Sequence, residues 1–197
     1  MASARLLDDG DTASRILDSA EALVQVRGFN GFSYADVAAE LAVTTASLHY
    51  HFPGKAELGR ALIARYASRF SASLAGIDAA GVDAPAKLEA YAQLYAGVLR
   101  EQRMCLCGML AAEYQTLPEP MRAAVLGFFD ENESWVAQVL TRGREAGTLA
   151  FPGKPREAAQ LIVSALEGAM LVARPYADAE RFETAARRLL AGFTAAT

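Results

Sequence analysis

Along this chain apolar residues recur at intervals of three and four, and no window of strand length alternates strictly between polar and apolar. That period puts side chains on one face of an α-helix, so the chain can bury a core only by packing helix on helix. Met121, Val125, Phe128, Asn132, Trp135 and Val139 step by 4, 3, 4, 3 and 4 along a long helix. Pro118 and Pro120 mark its start, and it runs to about Gly143. Ile16, Ala20, Leu23 and Val24 mark a first helix, opened by Asp11 or Thr12 and closed near Gly28. Leu161, Ala165, Ala169 and Val172 form another, and Phe182, Ala186, Leu189 and Phe193 a last one. Helical segments near 55–74, 85–101 and 105–115 lie between. Alanine, the best helix former, supplies 42 of the 197 residues. The expected fold is all-α, with about nine helices.

A hydrophobic content of 53% against 21% charged excludes disorder. The mean hydropathy of +0.14 is high. The most apolar stretch, Leu161 to Ala173, is nevertheless short and interrupted by Glu167, whereas a membrane span needs about 20 apolar residues. The first residues, MASARLLDDGDTAS, lack the apolar core of a signal peptide. The expectation is a soluble, cytoplasmic protein with no membrane partner. Its apolar surplus then goes into an interior, a subunit interface or a pocket. Two cysteines, Cys105 and Cys107, cannot build a disulfide framework. The two histidines, His49 and His51, lie far from them, so no metal site is supported and no cofactor is implied. A net charge of −4 gives no global attraction for nucleic acid, but affinity depends on where the basic groups sit.

Residues 28–58 differ in grain. Elements shorten to about two turns, and connections to three or four residues. Ser33 and Asp36 form a capping pair for a short helix ending near Leu41. Ala42 and Val43 make a tight turn, and Thr44 caps a second short helix that stops before Pro53. With Val37, Leu41 and Leu48 facing inward, this is a helix-turn-helix unit. Its second helix offers Thr44, Thr45, Ala46, Ser47, His49, Tyr50 and His51, groups suited to phosphate oxygens and base edges. Lys55 follows at the start of the next helix, where charge and dipole both favour phosphate.

The run from Phe32-Ser33 through Val37-Ala38-Ala39-Glu40-Leu41-Ala42-Val43-Thr44-Thr45-Ala46-Ser47-Leu48-His49-Tyr50-His51-Phe52-Pro53-Gly54-Lys55 resembles the DNA-binding signature of the TetR family of transcriptional regulators. The likeness is close over about residues 12–66 and general beyond. It implies a helix-turn-helix DNA-binding domain over 1–54 and a ligand-binding and dimerisation domain over 55–197. It also implies that Ser33 and Tyr34 touch backbone phosphate. Tyr50, His51 and Lys55 match the family, whereas Thr45 and Ala46 stand where a basic residue and glycine are usual, and His49 where a tyrosine is. Residues 33–65 carry three basic and three acidic side chains. Modest non-specific affinity, and reliance on two half-sites of double-stranded operator DNA, are therefore expected.

The resemblance further implies a homodimer and an inducer pocket. Leu161, Ala165, Ala169, Leu189 and Phe193 are the expected interface, with small residues allowing close helix approach. Tyr91, Tyr95, Cys105, Met109, Glu113, Phe128 and Trp135 are the expected ligand-binding set, suited to a small apolar or amphipathic inducer. Cys105 and Cys107 follow Arg100 and Arg103 at the start of a helix, a setting that lowers a thiol pKa. The stretch around Cys105 resembles family members that sense electrophiles, so both cysteines are candidate sensors, Cys105 foremost. No Ser/His/Asp, Cys/His or paired-carboxylate spacing supports an enzyme. The expected function is a ligand-responsive transcriptional regulator, a repressor released from a palindromic operator.

Overall fold

The computed structural model describes residues 2–195, with side chains from residue 11 onward. Nine α-helices are found among them: α1 (Ala2–Arg27), α2 (Tyr34–Leu41), α3 (Thr45–His51), α4 (Lys55–Ala79), α5 (Ala84–Arg100), α6 (Leu106–Ala112), α7 (Glu119–Glu145), α8 (Pro155–Ala173) and α9 (Ala179–Ala191). Helix α1 starts at Ala2, well before the expected cap at Asp11 or Thr12. The chain forms two compact units: Met1–Ala67 with Leu106–Val125, and Ser68–Cys105 with Leu126–Thr197. The first therefore includes more of the chain than residues 1–54, taking in the start of α4, all of α6 and the first turns of α7.

In the first unit Ile16, Ala20 and Val24 of α1 are fully buried, with Val37 of α2 and Leu48 of α3. A complete capping box opens α2: the Ser33 side chain accepts from the Asp36 N–H, and the Asp36 carboxylate accepts the Ser33 N–H at 2.7 Å. Helix α2 ends at Ala42, held in the left-handed region at φ 54, and the Thr44 hydroxyl caps α3 by accepting the Ser47 N–H at 3.2 Å. Ser19 donates to Glu40 at 2.9 Å, joining α1 to α2. Arg65 of α4 reaches Asp18 and Glu21 of α1 at 2.6 and 3.4 Å.

The second unit is built on α5, α8 and α9, with the rest of α7 against them. Asp83 caps α5 through the Ala86 N–H, and Asp178 caps α9 through the N–H groups of Glu180 and Arg181. Tyr91, Tyr95, Phe128, Ile162, Leu166, Met170 and Phe182 are buried together in its core. An isolated antiparallel bridge between Leu149 and Thr194 secures the end of α9.

Candidate nucleic-acid interface and ligand site

Helix α3 buries Leu48 and turns Thr44, Thr45, Ala46, His49 and Tyr50 outward, with Ser47 and His51 half-buried at the edges of that face. Tyr50 is 72% exposed although it is a large aromatic residue, and its ring meets His51 edge-on at 5.0 Å. His49 Nδ1 lies 3.1 Å from the Pro53 carbonyl. A carbonyl only accepts, so the proton resides on Nδ1 and Nε2 is left for an outside partner. The surface thus combines hydroxyls, a phenol and an imidazole on one short helix, the mix that reads phosphate and base edges.

Three expected phosphate contacts are otherwise employed. The Ser33 hydroxyl donates to Asp36 at 2.5 Å within the capping box, and these hydrogen bonds hold the Asp36 carboxyl below its usual range. The Tyr34 hydroxyl donates to the Phe52 carbonyl at 2.8 Å, and its ring lies 4.7 Å from that of His49. Burial, with Glu57 nearby, pushes the Tyr34 phenol up to about 12. Lys55, expected to face phosphate, instead turns inward and donates to the carbonyls of Phe29 and Phe32. Its Nζ lies 4.6 and 4.2 Å from the ring centroids of Phe29 and Phe32. Burial pulls the Lys55 ammonium below the usual lysine range, against Glu113 and Asp36.

Glu113 is corrected in the same way. Its carboxylate accepts the N–H groups of Phe29 and Asn30 at 2.5 and 3.2 Å, so it clamps the loop after α1. Gly28, at φ +82, permits this, since a Cβ there would stand 2.9 Å from the Glu113 carboxylate. Residues 28–32 are thus held by an anion on their N–H side and a cation on their C=O side.

The other expected ligand residues divide between the units. Met109 lies half-buried on α6 in the first, where the second candidate sensor, Cys107, is buried. Tyr91, Tyr95, Cys105, Phe128 and Trp135 lie in the second. There the Tyr91 and Tyr95 hydroxyls stand 3.0 Å apart, and Tyr91 donates to Asn132 at 3.2 Å. Phe70 meets Tyr91, Tyr95 and Phe128 edge-on at 5.3 to 6.1 Å. Trp135 stacks on Tyr91 at 5.6 Å while its indole N–H bonds Asp78 at 2.9 Å. Burial raises both tyrosines well above the usual phenol range.

Cys105 is 1% exposed, and its backbone N–H meets Met170 Sδ at 3.3 Å. The basic residues expected to acidify its thiol are paired elsewhere: Arg100 with Glu183 at 2.5 Å, and Arg103 with Glu101 at 3.5 Å. The charged group at Cys105 is instead Glu167, whose carboxyl is hydrogen-bonded to the thiol. Periodicity reasoning saw Glu167 only as the break in an apolar run, yet an acid on the core side of an apolar helix was itself a signal.

A cleft of about 350 Å³ between α5 and α9, floored by Leu88, Ala92, Phe182 and Leu190, includes none of the expected ligand residues. On α8, Leu161 is 56% exposed and Leu171 59%, with Val172 also outward and Ala165 and Ala169 half-buried. Leu189 of α9 is half-buried. Phe193, expected at an interface, packs inside against Phe151 at 5.7 Å. No described helix is long and apolar enough to cross a membrane.

A family model described as bacterial regulatory proteins, tetR family, matches residues 16–62, and one described as tetracyclin repressor-like, C-terminal domain, matches 84–189. A solved structure of a TetR-family transcriptional regulator from Agrobacterium tumefaciens superimposes with a TM-score of 0.91 at 33% identity, covering 95% of this chain and 100% of that one. The transcriptional regulator AcuR of Cereibacter sphaeroides is 28% identical over 75% of this chain and 69% of its own length. The HTH-type transcriptional repressor NemR of Escherichia coli is 27% identical over 89% of this chain and 90% of its own. The crystal structure of the reduced form of NemR superimposes with a TM-score of 0.82 at 26% identity, covering 95% of this chain and 99% of that one.

Proposed function

This chain belongs to the TetR family, ligand-responsive regulators that bind operator DNA as dimers, and on that premise we propose that it is a cytoplasmic repressor released from a palindromic operator by a small thiol-reactive electrophile. The observation that carries the DNA half is the outward face of α3, where Tyr50 stands 72% exposed beside Thr44, Thr45, Ala46 and His49. Hydroxyls, a phenol and an imidazole displayed together on one helix suit phosphate oxygens and base edges. The name of NemR, a repressor, supports the sign of regulation. The stretch around Cys105, which resembles that of electrophile-sensing family members, supports an electrophile as the signal.

The two copies pair through the outward side of α8, where Leu161, Leu171 and Val172 flank the small Ala165, Gly168 and Ala169, with Leu189 of α9 alongside. Residues 1–54 read DNA, and residues 55–197 dimerise and take the ligand. Helix α4 starts at Lys55, directly after the recognition helix, and continues into the second unit. Ligand capture shifts α4 and so the spacing of the paired recognition helices. A coupling of about 1–3 kcal/mol is enough for control.

Selection of bound duplexes from random DNA tests the reading. The expected product is an inverted repeat with half-sites one or more helical turns apart. Gel shifts on that duplex with methyl vinyl ketone should show release for the wild type and retention for Cys105→Ser. Failure to enrich any duplex at low salt would overturn the DNA half, and equal release of Cys105→Ser the electrophile half.

A further inference from the structure

Helix α8 is apolar along its core side, Ala158, Ala159, Ile162, Val163, Leu166, Met170 and Ala173 all being buried, and yet Glu167 lies among them. Its stem keeps some exposure, but its Oε1 is sealed from solvent and makes no hydrogen bond. A buried carboxylate oxygen without a donor carries a desolvation cost. The carboxyl is hydrogen-bonded to the Cys105 thiol, itself 1% exposed and flanked by Met170.

We propose that Glu167 is the general base for Cys105, and that the two form a capture site for small uncharged α,β-unsaturated carbonyl compounds. This rests on the electrophile reading of Cys105 and adds the group that activates it. The Glu167 carboxylate accepts the thiol proton. The sulfur electron pair forms the S–C bond at the β-carbon, and the π pair moves onto the carbonyl as an enolate. The proton then passes from Glu167 to the α-carbon. The product is a thioether, the carboxylate is restored, and no oxidant or reductant is consumed. The aromatic and thioether surroundings favour an uncharged electrophile, and the carboxylate repels an anionic one.

Burial pushes the Glu167 carboxyl up to about 7, the hydrogen bond to Cys105 pulling it the other way. It therefore exchanges its proton near neutral pH, as a general base must. The Tyr91 and Tyr95 hydroxyls of α5 belong to the same cluster, and burial keeps both neutral across this range. Glu133 of α7 acts on Tyr91, and α9, which also packs on α8, turns Glu183 towards Arg100.

The test is the alkylation rate of Cys105 by methyl vinyl ketone, read by mass spectrometry from pH 5 to 9. The full chain carries Cys107→Ser, and N-acetylcysteine is alkylated in parallel as the free-thiol reference. The proposal expects a rate that rises through about pH 7. Glu167→Gln should slow it at least about tenfold at pH 7 and move the rise towards the ordinary thiol range near pH 8.5. Glu167→Ala, checked for folding by circular dichroism, should do the same. Unchanged rates and profiles in both variants overturn it, as does a Cys105 that is never alkylated. Glu167-dependent alkylation without release of operator DNA upholds the base and refutes the electrophile-response reading. Release with Glu167-independent alkylation does the reverse.

Discussion

Ala42 sits at φ 54 at the end of α2, where an L-residue is strained by its Cβ. Ala42→Gly removes that strain and should raise stability by about 0.5–1 kcal/mol in urea denaturation, the gain being partly offset by the greater freedom of the unfolded chain. Affinity for DNA should not change, because the backbone of the turn is unaltered. Glu167 gives a pH-dependent counterpart. Its carboxyl is raised from 4.5 to about 7, so between those values the unfolded chain ionises while the folded one stays neutral. Stability from this group is complete below pH 4.5 and is lost as pH rises through about 7. Glu167→Gln should therefore be more stable than wild type at pH 8, by at most about 3 kcal/mol, with the gap closing towards pH 4.5. Thermal melts across that range check it.

At the scale of elements, the link between α1 and α2 decides how the recognition helix is held. Residues 28–32 are gripped by Glu113 at their N–H groups and by Lys55 at their carbonyls. Glu113→Ala leaves two amides without their acceptor and should cost about 1.5–3 kcal/mol, with weaker operator binding. Gly28→Ala should act in the same direction, through strain at positive φ and collision with Glu113. Lys55 offers a sharper test, because the structure and the sequence expectation differ on it. A phosphate-contacting lysine replaced by methionine would reduce the salt slope of DNA binding by about 1. With the ammonium turned inward, Lys55→Met should lower thermal stability and leave that slope as it was. The caps were legible in the sequence because Ser33 to Asp36 and Thr44 to Ser47 act over three residues. The clamp was not, because Glu113 meets Phe29 across 84 positions.

At the scale of the whole molecule, the proposed pairing puts the outward stripe of α8 under a second copy. Leu161→Glu and Leu171→Glu should each yield a folded monomer in sedimentation, since neither side chain belongs to the protomer core. Loss of two-site binding should weaken operator affinity by orders of magnitude. Periodicity and caps, which act within a few residues, determined the all-α class, the helix-turn-helix and the outward face of α3. Sequence reasoning grouped Tyr91, Tyr95 and Phe128 as a ligand-binding set, and the structure buries all three in the core of the second unit. Only the tertiary structure decided what each charged side chain does there. Lys55 and Glu113 became the two jaws of a loop clamp, Arg100 went to Glu183, and Glu167 went to Cys105. A helix-forming pattern records which side of a helix is buried. The partner of a buried charge is set by whichever distant element desolvates it, and the spacing along the chain carries no trace of that choice.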